Sequence, residues 1–322
     1  MGQYDVRPYK SGDETQIIEL LHKVFNGWPK FNPGCSRLEH WRWKYIDNPV
    51  NVGVTTCVSV NDGKIVGCMH DFQGQYHLFR EGIIAGKGAD LAVHPKHRRQ
   101  GLYSRMVDIL NESRVKNRVE LTTFISDNPI VIERTKRRGS ILLSPATTMV
   151  KINDIDLHLK HNHVENPWIK KLGMSLLKTL NKPKQRVIKR SPDLRLEEKT
   201  SFGNEVDEYY NHVKTEYDFI SVKYRDFLNW RYCDNRGGNY RPVQAWQSGE
   251  LVGYIVSRIV NETQGYPVGY IYEFQFIPGY LDVANSLLRE TLDHLDSKSV
   301  NMIIAWALRG QSIIKIFNEA GF

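Results

Sequence analysis

The 322-residue sequence is poor in cysteine and contains no long apolar run. Its four cysteines, Cys35, Cys57, Cys68 and Cys233, are too few and too widely spaced for a disulfide framework or a zinc site. No segment approaches the roughly 18 apolar residues of a membrane span, and the first ten residues lack the apolar core of a signal peptide. We therefore expect a reduced, cytoplasmic protein with no membrane span and no bound metal.

Charge of one sign does not dominate either, since 44 basic side chains face 36 acidic ones and leave a net charge of +8. The excess is spread along the chain, and the aromatic residues do not alternate with basic ones as stacking platforms for nucleic acid require. We keep nucleic-acid binding only as a minor alternative. A phosphate-bearing cofactor would suit the same excess of positive charge.

The sequence contains an internal repeat. Residues 43–48 (WKYIDN) return at 230–235 (WRYCDN), and residues 62–67 (DGKIVG) return at 248–253 (SGELVG), in the same order and at nearly the same spacing. Such self-similarity favours a duplicated structural unit.

Each half contains the pattern strand, helix, hairpin, strand, helix, strand and helix, with an Asp62-Gly63 turn in the first hairpin. This order predicts an α/β fold of two tandem domains, each a mostly antiparallel mixed sheet flanked by helices. We expect an N-terminal domain over residues 1–153, a basic helical linker over 154–194 and a C-terminal domain over 195–322. In the linker, residues 168–180 predict a basic amphipathic helix that packs between domains, with a membrane-surface role as the alternative.

The linker region is also rich in histidine. His158, His161 and His163 lie in one short stretch without accompanying cysteines or carboxylates, so we expect solvated histidines rather than a metal site.

The stretch from Leu91 to Met106 has the clearest chemical signal. An apolar strand ends at Pro95, a basic loop follows, and Gly101 stands where a helix begins. The first turn of a helix offers unpaired N–H groups and the positive end of its dipole, and a glycine lets an anion approach the backbone. Arg98 and Arg99 add positive charge, so the loop favours a diphosphate. It lacks the metal-binding element of Mg-nucleotide loops.

This loop matches the pattern Val-x-Pro-x-x-Arg-x-x-Gly-x-Gly/Ala at Val93, Pro95, Arg98 and Gly101. The sequence therefore resembles the GNAT superfamily of acetyl-coenzyme A-dependent N-acyltransferases, although Tyr103 stands at the last position of the pattern. The resemblance covers residues 3–150 well. It covers residues 195–322 only in outline, because the corresponding loop has neither the arginine pair nor the glycine. The whole resembles a tandem GNAT protein with a degenerate second half.

The resemblance implies a cofactor site for acetyl-coenzyme A as the acyl donor. The backbone of Leu91, Ala92 and Val93 would pair with the pantetheine arm, and Asn128 would contact the cofactor. The pyrophosphate would lie against the loop and helix start, formed by Arg98, Arg99, Gln100, Gly101, Leu102, Tyr103 and Ser104.

The catalytic residues are less clear. Thr135 stands where the family often has a tyrosine as general acid. Lys87 stands where it frequently has a glutamate as general base. Asp90 is then the candidate base, directly or through water, with a structural carboxylate as the alternative. Ser126 and Tyr103 are weaker candidates for the proton donor.

Three explanations for these substitutions stay open. In the first, water relays the proton while the site holds thioester and amine together. In the second, the acid comes from the second half or from residues 26–34, whose Trp28 and Phe31 line the acceptor side or pack as a lid. In the third, the protein binds acyl-coenzyme A without turnover.

We therefore expect an N-acyltransferase that transfers an acetyl group to a primary amine of a small molecule, such as an amino sugar or amino acid. The alternative is a non-catalytic acyl-coenzyme A sensor or interaction module.

Overall fold

A computed structural model describes residues 4–123, 129–141, 146–163, 193–263, 265–308 and 311–322. These residues form two six-stranded mixed sheets flanked by helices, which confirms the expected fold class. The chain divides into two compact units. Unit 1 comprises Met1–Gly139 and Tyr210–Gly238, and unit 2 comprises Ser140–Tyr209 and Asn239–Phe322.

The strands are β1 (Asp5–Pro8), β2 (Thr56–Asn61), β3 (Lys64–Leu78), β4 (Glu81–Val93), β5 (Val119–Thr123), β6 (Ala146–Ile152), β7 (Arg195–Glu198), β8 (Phe219–Ser221), β9 (Arg241–Gln247), β10 (Glu250–Thr263), β11 (Tyr266–Phe276) and β12 (Met302–Leu308). The helices are α1 (Glu14–Val24), α2 (Arg37–Tyr45), α3 (Leu102–Lys116), α4 (Pro129–Arg137), α5 (Ile155–His161), α6 (Glu205–Val213), α7 (Arg225–Leu228), α8 (Leu281–Ser297) and α9 (Ile313–Glu319).

The sheet of unit 1 has the order β1-β2-β3-β4-β5, and β8 pairs with β3. All neighbours are antiparallel except β4 and β5. Successive residues of a strand point to opposite faces, so Cys68 packs with α1 and α2 whereas Met69 packs with α3. The apolar residues of α1, including the fully buried Ile17 and Leu21, recur at helical spacing and form the first of these two cores.

The sheet of unit 2 has the order β6-β12-β11-β10-β9-β7, with β11 and β12 as its parallel pair. Its core lies between the sheet and helices α8 and α9, where Leu287, Leu295 and Phe317 are buried against Ile255 and Ile303.

The two units divide the chain differently from the expected boundaries at residues 153 and 195. Strand β6, which we expected in the N-terminal domain, pairs along its whole length with β12 in unit 2. Strand β8, from the C-terminal half of the sequence, pairs with β3 in unit 1. Each unit thus contains a segment from the other half of the repeat.

The hairpin formed by β3 and β4 is longer than the sequence indicates. The apolar patterns predict strands over 64–69 and 89–94, whereas the strands extend to Leu78 and begin at Glu81. Glycines dilute the apolar signal of β4, and at one of them, Gly86, the structure leaves no room for a side chain. A Cβ atom at Gly86 would lie 2.7 Å from the Asp71 carboxylate.

The histidines expected in a solvated linker pack in unit 2. His158 lies on α5 and hydrogen-bonds the hydroxyl of Tyr266 through its Nδ1, and the ring of His161 stacks on that of Tyr266 at 4.0 Å. These two histidines are thus partly exposed and also pack against Tyr266. The predicted amphipathic helix over 168–180 lies outside the described residues. Among the helices that are described, none is both long and apolar enough to cross a membrane.

Candidate active site

The loop between β4 and α3 leaves the start of the helix open. Gly101 precedes α3 with a φ of 71°, in the left-handed region that favours glycine. The first helical hydrogen bond runs from Arg105 N–H to Gly101 O at 3.3 Å, so the N–H groups of the first turn have no partner within the helix. In the described parts of the chain no side chain caps them. An anion can therefore reach these N–H groups.

The loop itself is held by its own contacts. The short turn Pro95–His97 is capped by His94, whose Nδ1 accepts from Lys96 N–H at 3.3 Å. Arg98 donates from Nε to Val93 O at 3.2 Å. The guanidinium groups of Arg98 and Arg99 are exposed next to the open helix start, where they add positive charge.

Next to this loop, one edge of the β4 backbone pairs with no described residue. On one side Ala92 and Val93 pair with Cys68 and Gly67 of β3. On the other side the described part of β5, which ends at Thr123, pairs in parallel with residues 84–87 of β4. Among the described residues, no strand lies along that edge beyond Lys87. An extended ligand could add there as a strand, leading to the open turn of α3.

Asp90 lies in an irregularity of β4, with a φ of 40°, where the register against β3 shifts by one residue. Its largely buried carboxylate accepts hydrogen bonds from Tyr45 Oη and, at 2.8 Å, from Lys44 Nζ. Burial alone would raise the pKa of Asp90, but the adjacent Lys44 charge and the hydrogen bonds lower that pKa to about 2. Such a carboxylate accepts a proton poorly at neutral pH, which favours the structural role, and its role as a base stays a prediction.

A neutral histidine, His70, hydrogen-bonds the backbone of Asp90. Trp41 Nε1 donates to His70 Nε2 at 3.0 Å, so His70 Nδ1 carries the proton and donates to Asp90 O at 3.1 Å. Burial lowers the pKa of His70 to about 4, because the interior disfavours its charged form. The ring of Tyr45 stacks on that of His70 at 4.1 Å. These contacts hold the irregular part of β4 in place.

Of the other candidate catalytic residues, the described Tyr103 is not brought to Asp90. Tyr103 lies on α3 in the core on the opposite face of the sheet from Tyr45, with the Arg138 guanidinium 5.8 Å from its ring. Ser126 and Asn128 lie outside the described residues. Thr135 donates to Val131 O at 2.8 Å, within its own helix. The proposed acid and base therefore do not form a pair in the described residues.

The residues between α1 and α2 pack around a histidine. Trp28 and Phe31 lie 5.4 and 5.3 Å from the ring of His40, and Trp28 is only 5% exposed. His40 Nδ1 donates to Arg236 O at 2.6 Å, and burial lowers the pKa of His40 to about 4. For Trp28, packing is the better interpretation.

The internal repeat forms a reciprocal pair of tryptophans. Trp43 Nε1 donates to Trp230 O at 2.9 Å, and Trp230 Nε1 donates to Trp43 O at 3.0 Å, while the rings stack at 5.0 Å. Both residues belong to unit 1. The sequence showed that these residues correspond, but not that they bind each other.

The sequence assigns no role to Lys87, whose side chain is half-buried on β4 at the last described position that pairs with β5. Burial lowers the pKa of Lys87, and the charges of Lys44 and Arg231 lower it further. The signal available in the sequence was a lysine within a glycine-rich and apolar strand.

Comparison with known proteins places these features in a family context. Residues 5–129 match the family model of the acetyltransferase (GNAT) domain. No curated protein matches the sequence.

Several solved structures share the fold over nearly the whole chain. A protein of unknown function from Enterococcus faecalis, described as a probable N-acyltransferase, is 14% identical with a TM-score of 0.68, over 98% of this chain and 68% of that one. A GCN5-related N-acetyltransferase from Anabaena variabilis is 10% identical with a TM-score of 0.63, over 97% of this chain and 68% of that one. N-myristoyltransferase from Saccharomyces cerevisiae, with bound myristoyl-CoA, is 12% identical with a TM-score of 0.56, over 95% of this chain and 73% of that one.

Proposed function

Because the chain carries a GNAT acetyltransferase domain over residues 5–129, we propose that it transfers an acetyl group from acetyl-coenzyme A to a primary amine of a small molecule. The amine attacks the thioester directly in a ternary complex. The observation that supports this most is the open first turn of α3, beside an edge of β4 that no described strand covers. The pantetheine arm would lie along the edge of β4. The diphosphate would lie at the start of α3, which follows β4 in the chain.

The residues of this loop fit the cofactor. The first-turn N–H groups of α3, from Leu102 to Ser104, would hold the pyrophosphate together with Arg98, Arg99, Gln100 and Gly101. The backbone of Leu91, Ala92 and Val93 would pair with the pantetheine arm. When bound, the cofactor supplies the activated acyl group.

The protein's own contribution is mainly positioning. The contacts of Lys44, Tyr45 and His70 with Asp90 fix the irregular part of β4, and so fix the edge against which the thioester would lie. Holding two reactants in attacking geometry lowers the barrier without a strong base. The proton of the amine then leaves through water, because the low pKa of Asp90 makes this carboxylate a poor acceptor.

One observation favours a second function, the binding of acyl-coenzyme A without turnover. Asp90 is engaged in an ion pair and Thr135 bonds within its own helix. A sensor or interaction module would need the cofactor loop but no free acid or base.

The cysteines support a reducing, cytoplasmic location. Cys35, Cys57, Cys68 and Cys233 are all free thiols, and burial raises the pKa of Cys57 to about 12. A buried thiol of this kind is unreactive.

Calorimetry with coenzyme A, followed by thiol release from acetyl-coenzyme A with a panel of amines, tests both functions. We expect binding and an amine-dependent release of thiol above the hydrolytic background. Binding without amine-dependent release would support the sensor, and no binding would refute both functions.

A further inference from the structure

Lys87 is the one lysine of β4, and its side chain faces the helix α2 side of the sheet in unit 1. It pairs across the strands with Phe72, whose ring stacks with that of Trp230 at 5.8 Å. Directly opposite residues of two strands point to the same face. The side chain of Lys87 therefore lies on the same face of the sheet as that of Phe72, at the last described pair of β4 and β5.

The charges around Lys87 have its own sign. Lys44 and Arg231 both act on it, and both lower its pKa after burial has done so. The carboxylate of Asp90, on the same strand, is already engaged by Lys44. Among the described residues, no hydrogen bond or ion pair joins Lys87 to an acceptor.

A half-buried amine in such surroundings is only partly solvated and is repelled by its neighbours, whereas the charged lysines that proteins bury are usually paired. An anion placed against Lys87 would relieve both effects. A polycationic amine would add to the repulsion, since like charges close together cost several kcal/mol where the effective dielectric is low.

The cofactor loop does not account for this cation. Lys87 precedes Val93 by six residues, which corresponds to about 20 Å along an extended strand. The open turn of α3 follows Val93, so the two positively charged places lie at different positions along β4.

We propose that the acceptor carries an anionic group, a carboxylate or a phosphate, and that Lys87 binds it and so determines acceptor specificity. This inference rests on the proposed function, and it narrows the acceptor from primary amines in general to amines that bear anionic oxygens. Amino acids and amino phosphates fit, whereas amino sugars with several ammonium groups do not.

Acceptors matched except for the anionic group provide the test, with kcat/KM expressed per concentration of free amine, because the anionic group also changes the pKa of the amine. Glycine is compared with glycinamide, and phosphoethanolamine with ethanolamine, using the full chain and saturating acetyl-coenzyme A. We expect the anionic member of at least one pair to have the higher kcat/KM by about ten- to hundredfold, the range of one hydrogen bond to a charged group. The pair that shows the preference distinguishes carboxylate from phosphate.

The variant Lys87→Met should abolish that preference by raising the KM of the anionic acceptor, while the KM of acetyl-coenzyme A stays unchanged. Lys64→Met, at the exposed first residue of β3, is the matched control and should behave as the wild type. Equal kcat/KM values within both pairs, or an unchanged preference in Lys87→Met, would overturn the inference.

A binding measurement covers the case in which no acceptor of the panel is turned over. Lysines of the coenzyme A-saturated protein are labelled by ¹³C reductive methylation, and the Lys87 signal is identified by its loss in Lys87→Arg. Glycine or inorganic phosphate should shift this signal, whereas glycinamide should not. No shift with either anion refutes the inference, while failure of coenzyme A to bind by calorimetry refutes the proposed function.

Discussion

The substitution Gly101→Glu probes the open helix start, and the chain offers a matched control. Gly101 and Gly63 both have a φ of 71°, and at both positions an added Cβ meets no atom within 4 Å. Gly63 lies in the tight turn between β2 and β3, away from the α3 loop. Gly101→Glu and Gly63→Glu therefore introduce the same charge and the same backbone strain. Only Gly101 lies at the site that we assign to the cofactor.

The two variants should lose similar stability and different affinity. A side chain in the left-handed region costs about 1–2 kcal/mol of unfolding free energy at either position. At Gly101 the new carboxylate would also repel a phosphate oxygen about 4 Å away by about 1 kcal/mol in water, and by about 4 kcal/mol at an effective dielectric constant of 20. Since 1.4 kcal/mol is tenfold in affinity, coenzyme A binding should weaken by about 5- to 1000-fold.

Urea unfolding gives the stability of both variants, and calorimetry gives their coenzyme A affinity at low and raised salt. Raised salt should reduce the penalty of Gly101→Glu, because screening weakens the repulsion. Unchanged affinity in Gly101→Glu, or an equal loss in Gly63→Glu, would show that the anion does not lie against the start of α3.

Three further predictions concern the support of the site in unit 1. Arg114→Met should lower the unfolding free energy in urea by about 3–5 kcal/mol because it leaves the buried Asp71 carboxylate without its partner, whereas adding Asp71→Leu should restore most of that loss. The free energy of unfolding should fall as the pH drops from 6.5 to about 4, because the unfolded chain binds a proton that buried His70 does not accept. His70→Gln should reduce the slope of this free energy against pH by the contribution of about one proton, as measured by urea titration at each pH. Gly237→Ala should lower the melting temperature, since its Cβ would lie 2.5 Å from the Trp43 ring, and an unchanged melting temperature would contradict this packing.

The strand, loop and helix around Gly101 could be predicted from the sequence because their signals are local, while the binding of a cofactor there stays a prediction. Pro95, the two arginines and Gly101 lie within seven residues, and each acts on the backbone or charge beside it. The strand–loop–helix order around them followed from apolar spacing alone.

Other parts could not be predicted, because they depend on residues far apart in the chain. Asp90 was a candidate base by its position, but its partners Lys44 and Tyr45 lie on α2, more than 40 residues earlier. The long hairpin was hidden by glycines that avoid contact with side chains such as Asp71. The three-part division into 1–153, 154–194 and 195–322 stays a prediction about sequence domains, and the compact units of the structure do not follow it.

The contribution of β8 and Trp230 to unit 1 has a consequence for synthesis on the ribosome. A nascent chain released up to Gly139 lacks the strand that pairs with β3 and the indole that covers Trp43. Roughly 100 more residues must emerge before those parts arrive, which takes about 5–20 s at ordinary translation rates. During that interval the hairpin edge and an aromatic surface stay uncovered, so nascent unit 1 is a candidate client for chaperones, and its expression alone, cut near residue 153, should yield aggregates.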